Sequence, residues 1–431
     1  MAIRPSIVSV FILALFMCPL RAVAQPAPNV VTQWAAIVQQ SIHNAAAPRS
    51  AGSSQVLHTM VHLAVHDAVA AIEGGYSPYR ASKSKHRERD ADVKAAVATA
   101  AYLTARGRVA PTQVAYLDQE YANFMAGLPE GPAKADGIRI GTGSAATLLE
   151  ARAGDGFSNV LLYQCSEVPP PPGEFAPDTG CPSAATDPQP VDAKVGQITP
   201  YTFTKRAGFK PRRPRAMTSR TYTADFIETR DFGRADSLVR TAEQTDIAFF
   251  WSENPYVHWN RNLTALAIAQ QLDVRETALM FAMVQTAVSD AVIVGFEAKY
   301  RYAFWRPRTA IPQADADGND LTDADPSWRP LLSVNHPEYP SGHGFWSTAL
   351  IDAVAGFFGT DEVSWTIVTS KVAVPRVEQT TRTYSNLEDL KREIVNARIW
   401  GGLHWRFSTA AGEEIGGRVA RHVTRLFRIA R

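Results

Sequence analysis

Three stretches of the chain carry residue types that together could grip a compact oxyanion and move protons beside it. They are Lys299 to Pro307, His336 to His343 and Arg398 to His404. Lys299, Arg306 and Arg398 supply fixed positive charge. Ser341 and Gly342, within Pro340-Ser341-Gly342-His343, supply a hydroxyl and a backbone N–H that a ligand can approach closely, because glycine has no Cβ. His343 and His404 add imidazoles, which titrate near neutrality and can bind a metal or attack phosphorus. Each piece alone reads as a solvated charge, a turn or a packed histidine. The ordered set is what points to oxyanion chemistry.

The elements that must position these groups follow from the spacing. Lys299 and Arg306 are seven residues apart near the end of a long apolar pattern, so an unbroken helix puts both on one face. Pro307 then ends the helix and fixes Arg306 at its exit. Asp273 with Glu276 forms a capping box that opens this helix, over 274–303. Pro340-Ser341-Gly342 reads as a turn into a helix through Gly344 to Val354, whose first N–H groups suit an anion. Arg398 and His404 would point apart on a continuous helix, but Gly401-Gly402 lets the chain break between them. Ser385 with Glu388 makes another capping box ahead of Arg398, and a last helix is expected over about 409–428.

This ordered set resembles the signature of the vanadium-dependent haloperoxidase and type 2 phosphatidic acid phosphatase superfamily over roughly residues 240–431. The stretches His336-Pro-Glu-Tyr-Pro-Ser-Gly-His343 and Leu403-His-Trp-Arg-Phe407 are closer to the haloperoxidase branch. The resemblance implies that Lys299, Arg306 and Arg398 hold the equatorial oxygens of vanadate or phosphate, with Ser341 and the Gly342 N–H adding hydrogen bonds. It makes His343 the acid/base. His404 becomes the vanadium ligand or, in a phosphatase, the phosphorylated nucleophile. The implied function is a haloperoxidase-like enzyme with vanadate as cofactor and hydrogen peroxide and halide as substrates. The alternative is a soluble acid phosphatase that acts on a phosphoester through a phosphohistidine. One position departs from the phosphatase pattern: Ser408 stands where that pattern has an Asp, and a hydroxyl orients an imidazole less well than a carboxylate. Glu413 and Glu414 are the candidate substitutes. On the halide side the resemblance singles out His336 and Phe296, where chloroperoxidases tend to carry an aromatic residue and Trp. The histidine implies bromide and iodide in preference to chloride.

The whole chain reads as mainly α. Two helical bundles, 25–160 and 216–431, are joined by a Pro-rich excursion over 161–215, and the second bundle carries the oxyanion site. Residues 1–24 read as an export signal, with Arg4 before an apolar run and Ala22-Val23-Ala24 as the cleavage site, which implies a periplasmic or secreted protein. Its removal takes Arg4 and Arg21 from a chain with 44 basic and 42 acidic residues, so the mature protein is near neutral. That balance gives no support to nucleic-acid or anionic-membrane binding. No other stretch reads as a membrane span, and the oligomeric state stays open.

In the first bundle, helical patterns run through 53–72, 92–106, 113–127 and 132–153, with Thr112 as an N-cap after Pro111. His58, His62 and His66, followed by Asp67, have a zinc-like spacing. No Glu follows the first His and the neighbours are apolar, so they read as satisfied core histidines. Cys165 and Cys181 bracket the Pro-rich excursion, where an exported chain is expected to form a disulfide. Lys210 to Arg215 reads as a solvated or ion-paired basic face. Asp315 to Asp320 lacks calcium-loop spacing, since Gly318 and Pro326 occupy the wrong positions.

Overall fold

Helices dominate the computed structural model, which describes residues 27–43, 49–80, 88–159, 161–184 and 186–427; the stretch read above as an export signal, 1–24, lies outside these. In chain order the helices are α1 (Val30–Ile42), α2 (Ala51–Glu73), α3 (Val93–Arg106), α4 (Pro111–Ala126), α5 (Pro132–Ala151), α6 (Arg220–Gly233) and α7 (Ala242–Phe250). They continue with α8 (Pro255–Ala269), α9 (Val274–Tyr302), α10 (Pro307–Ala310), α11 (Gly342–Phe358), α12 (Leu387–Trp400) and α13 (Arg406–Leu426). Among the described residues one antiparallel hairpin, β1 (Trp365–Val368) with β2 (Thr381–Tyr384), pairs Trp365 with Tyr384.

Helix α9 is the axis of the fold. Asp273 caps it and the Asp273–Glu276 capping box forms as its sequence predicts. It is long and apolar enough to cross a membrane, contrary to the reading that nothing after the leader is, yet that stretch is wholly buried inside the fold. α2, α11 and α13 pack around it. α11 and α13 approach to backbone contact because glycines face each other: a Cβ on Gly416 would lie 2.7 Å from the Phe345 carbonyl oxygen. One apolar core runs from Val30 in α1 to Phe427 after α13, so the helices on either side of the Pro-rich excursion share it.

The excursion is pinned at both ends of its path. Phe175 N–H donates to the Ala303 carbonyl at 2.7 Å, Trp305 N–H to that of Gly173 at 3.0 Å, and Val191 N–H to that of Asn335 at 2.8 Å. Cys165 and Cys181 are joined in a disulfide. A small core of Tyr163, Phe175 and Ala193, with Tyr300 against it, backs this loop.

Three local expectations need correction. α9 ends at Tyr302, because Ala303 takes a left-handed conformation (φ 42°), so Arg306 is not on the helix with Lys299 but caps α10. α4 starts at Pro111 with Ala110 as N-cap, which places Thr112 inside the first turn. α12 is capped by Asn386, whose side chain accepts the Glu388 N–H, and not by Ser385. Only in α12 does a neighbouring side chain, that of Asn386, satisfy a free N–H group; Ala110 has no side chain that could do so for α4.

Candidate active site

The three stretches converge beside the N-terminus of α11. Ser341 is the N-cap: its hydroxyl accepts the Gly344 N–H at 3.4 Å, and its own N–H donates to the Ser408 carbonyl at 3.0 Å, tying α11 to α13. Gly342 has no Cβ to fill the space before it; the nearest side-chain atoms to that position are Lys299 Cε at 3.8 Å and His336 Cε1 at 3.9 Å. The chain break expected between Arg398 and His404 is present, with Gly401 ending α12 and Gly402 at φ 69°.

All three cations are buried. Lys299 Nζ donates to the carbonyls of Pro337 and Glu338 at 2.9 and 3.1 Å. The Arg306 guanidinium spans the His336 carbonyl at 2.6 Å, the Leu403 carbonyl at 2.7 Å and His336 Nδ1 at 3.0 Å. Arg398 donates to the Trp251 carbonyl at 2.8 Å, and its Nε has no partner. Burial first, then Arg306 and Arg398, hold Lys299 well below the usual lysine range. Burial and the charge of Arg306 lower Arg398 to about 9. Carbonyls satisfy the N–H groups of these cations but do not neutralise their charge. A multiply charged oxyanion would do so, and would give Arg398 Nε its missing acceptor.

Among the described residues the one carboxylate in contact with this group, Glu338, is one the sequence reading did not assign. It is fully buried, and its Oε1 lies 2.8 Å from His404 Nδ1 and 3.1 Å from the Trp405 N–H. Burial pushes its carboxyl up to about 7, against the pull of Arg306 and Lys299. An oxygen that accepts a backbone N–H is not the protonated one, so Nδ1–H of His404 donates to Oε1 and Nε2 keeps its lone pair. Burial and the three cations hold His404 well below the usual imidazole range. Glu338 therefore does for His404 what a carboxylate at 408 would do. The substitutes considered from sequence do not: Glu414 pairs with Arg418, and Glu413 feels Lys391 and Asp352. The signal was available inside the motif, where Glu338 stands between Pro337 and Tyr339 as the one acid of that stretch.

His343 faces the cavity from the first turn of α11, with burial, Arg398 and His258 lowering it and the Trp251 carbonyl opposing. That carbonyl also holds Arg398, so one backbone oxygen relates the acid/base candidate to a cation. His336 Nδ1 lies 3.0 Å from the Arg306 guanidinium and 3.1 Å from the Pro337 carbonyl, and burial with the charges of Lys299 and Arg306 holds the ring well below the usual imidazole range. Its ring meets Phe296 edge-on at 5.7 Å. A cavity of about 800 Å³ opens over the site, and Phe296, His336, Gly342, His343, Arg398 and His404 all line it. Lys299, Arg306 and Ser341 lie behind that wall. The α2 histidines are elsewhere: His58 and His62 contact each other at 2.9 Å within the core, and among the described residues no cluster suited to a metal ion occurs.

Residues 279–430 match the family model described as the VCPO second helical-bundle domain. Over those residues the chain is similar to that domain. Over 180 residues, 32% of this chain and 29% of the relative's length, it is 26% identical to the vanadium chloroperoxidase of Curvularia inaequalis. A solved bacterial vanadium-dependent iodoperoxidase superposes with a TM-score of 0.74 at 21% identity, over 93% of this chain and 95% of that one. A holo-type bacterial vanadium-dependent chloroperoxidase superposes at 0.68 with 20% identity, over 94% and 96% of the two chains. These likenesses span the first and second halves alike, so the whole chain, not only the matched domain, has the haloperoxidase-like fold.

Proposed function

We propose that this haloperoxidase-like protein is a vanadium-dependent haloperoxidase that oxidises bromide and iodide with hydrogen peroxide. The observation that carries the reading is the site's imbalance: three buried cations and an orphaned Arg398 Nε surround a histidine whose Nε2 is kept free by Glu338. Vanadate fits that donor set, with His404 Nε2 as its ligand and Lys299, Arg306, Arg398, Ser341 and the Gly342 N–H toward its oxygens. Bound vanadate supplies Lewis acidity that makes peroxide electrophilic toward halide. The protein's share is to hold the anion, to exclude bulk water, and to move protons at His343, which burial and Arg398 keep neutral and so able to act as the acceptor.

The halide preference rests on His336 and Phe296. A neutral imidazole makes a wetter wall than a second aromatic ring would. Steady-state rates on vanadate-loaded protein should favour bromide and iodide, and chloride turned over as fast as bromide would remove this assignment. Acid phosphatase activity is the second reading, because the Glu338–His404 contact also suits an in-line nucleophile on phosphorus. Halide oxidation and phosphoester hydrolysis assayed side by side on the purified protein, with and without added vanadate, decide between them. We extend the proposal to export, which the leader-like N-terminus and the Cys165–Cys181 disulfide support.

A further inference from the structure

The backbone that presents His404 leans on α6, a helix that carries none of the residues assigned to the site. Its buried residues Tyr222, Asp225, Phe226, Thr229 and Gly233 recur at helical spacing along one face. That face is turned to residues 402–407. The Thr229 hydroxyl donates to the His404 carbonyl at 3.1 Å, and Asp225 Oδ2 accepts the Phe407 N–H at 2.6 Å. Gly233 allows close approach, since a Cβ there would lie 2.5 Å from Gly402 Cα. Phe226 stacks on the Trp405 ring at 5.8 Å, and Tyr222 meets the same ring at 5.4 Å. Packing accounts for all of this face except one atom, the Tyr222 hydroxyl.

That hydroxyl is fully buried and, among the described residues, has no hydrogen-bond partner. The same holds for Glu338 Oε2, Trp305 Nε1 and Trp405 Nε1. Tyr222, Trp305 and Trp405 share one apolar cluster, and Glu338 reaches it through its Oε1 contact with the Trp405 N–H at 3.1 Å. Burial pushes the Tyr222 hydroxyl up, Asp317 and Glu338 act in the same direction, and the Trp305 indole opposes them. The hydroxyl is thus near enough to feel both the carboxylate and the indole while bonding to neither. Polar atoms this deeply buried are rarely left without partners. Here the orphans are complementary, three donors and one carboxylate oxygen, and two to four such groups are what a buried water needs.

We propose that Tyr222 is a positioning residue for His404: with Trp305 it holds a buried water that donates to Glu338 Oε2. The inference rests on the reading of His404 as the ligand of the anion. The phenol O–H and the indole N–H donate to the water, and the water passes a hydrogen bond on to Oε2. Oε1 is already committed to His404 Nδ1 and the Trp405 N–H. A bond at the second oxygen fixes the plane of the carboxyl group, and with it the direction in which Oε1 receives the imidazole N–H. Tyr222 acts without touching the anion, by aiming the nitrogen that does.

Tyr222→Phe keeps the ring and its contact with Trp405 and removes only the donor. Calorimetric titration of the full chain, first with inorganic phosphate and then with vanadate, should show affinity reduced roughly three- to tenfold, in keeping with one lost hydrogen bond behind a ligand. Trp305→Phe, the second variant, should act in the same direction. A crystal structure of the wild type should hold a water within hydrogen-bond distance of both Tyr222 Oη and Glu338 Oε2, and that of Tyr222→Phe should lack it. A merely structural role is separated by coupling: in a Glu338→Ala background the change at Tyr222 should have no further effect, because the acceptor is gone. Unchanged affinity in both variants, or the same loss from Tyr222→Phe with and without Glu338, overturns the proposal. Halide oxidation absent from the wild type would count against the haloperoxidase reading alone, since the phosphate titrations and the water are read without turnover.

Discussion

Two sets of buried histidines sit in this molecule, and burial holds both below the usual imidazole range for different uses. In α2, desolvation is the largest cause for His58 and His62, and the only charge influence on His58 is its neighbour. At the site, His336 and His404 are also pressed down by Lys299 and Arg306, and His343 by Arg398 and Lys299. The first is a packing device whose histidines have no ligand to answer to. The second is a field waiting for its counter-charge. At an effective dielectric near 20, an anion 4 Å from one cation gains about 4 kcal/mol, and three such contacts offset much of the loss of its hydration. Low imidazole affinity alone therefore does not mark a functional site; unbalanced charge around it does.

The largest break in this comparison is His404→Ala, which should abolish halide oxidation and phosphoester hydrolysis together, because it removes the free Nε2 that either chemistry needs. His343→Ala should leave vanadate binding measurable by calorimetry and slow turnover. If instead only the His343 variant lost binding, the two roles would have to be exchanged. Arg398→Ala comes next. Losing a buried partner of the anion should cost about 3 kcal/mol, on the order of a hundredfold in vanadate and phosphate affinity alike. Unchanged affinity for both anions would remove Arg398 from the site.

Glu338 sharpens the contrast further, since neither His58 nor His62 has a carboxylate on its ring: their Nε2 atoms meet each other and their Nδ1 atoms have no partner. Glu338→Ala should weaken vanadate affinity by about 10–100-fold, the usual effect of removing a ligand's hydrogen-bond partner. Adding Ser408→Asp should recover part of that loss, because Ser408 already touches the Glu338 backbone at 3.4 Å and an acid there would again face the imidazole. A double variant no better than Glu338→Ala would show that Glu338 acts through the fold and not through His404.

What the sequence made legible was local. Lys299, Ser341, Gly342 and Arg398 could be named from motif spacing, and the break at Gly401-Gly402 from backbone freedom. Glu338 stood in the same motif as its one acid, but its role did not show there, because its contact with His404 joins residues 66 apart. The helix exit before Arg306 was misplaced because left-handed Ala303 has no composition signal. The shared core was invisible for the same reason: periodicity shows which face of a helix is apolar but not which helix covers it.

The smallest effect comes from the α2 pair and concerns stability, not catalysis. His62 is lowered to about 3 in the fold, against an unfolded value near 6.5, so the unfolded chain binds a proton that the native chain refuses. Stability is then unaffected above pH 6.5 and falls as pH drops from there toward 3, by up to about 1.4 kcal/mol per unit for this group. His58 acts in the same direction, although two rings 2.9 Å apart do not titrate independently. Replacing both by Leu removes the liability together with their unpartnered Nδ1 atoms, and an apolar pair in an apolar surround costs little at neutral pH. Denaturant titrations should show His58→Leu/His62→Leu close to the wild type at pH 7.5 and losing about 2 kcal/mol less than it on going to pH 5. Anion affinity should be unchanged. An acid slope identical to that of the wild type would mean that these rings take up protons in the fold, and the distinction drawn between the two histidine sets would fail.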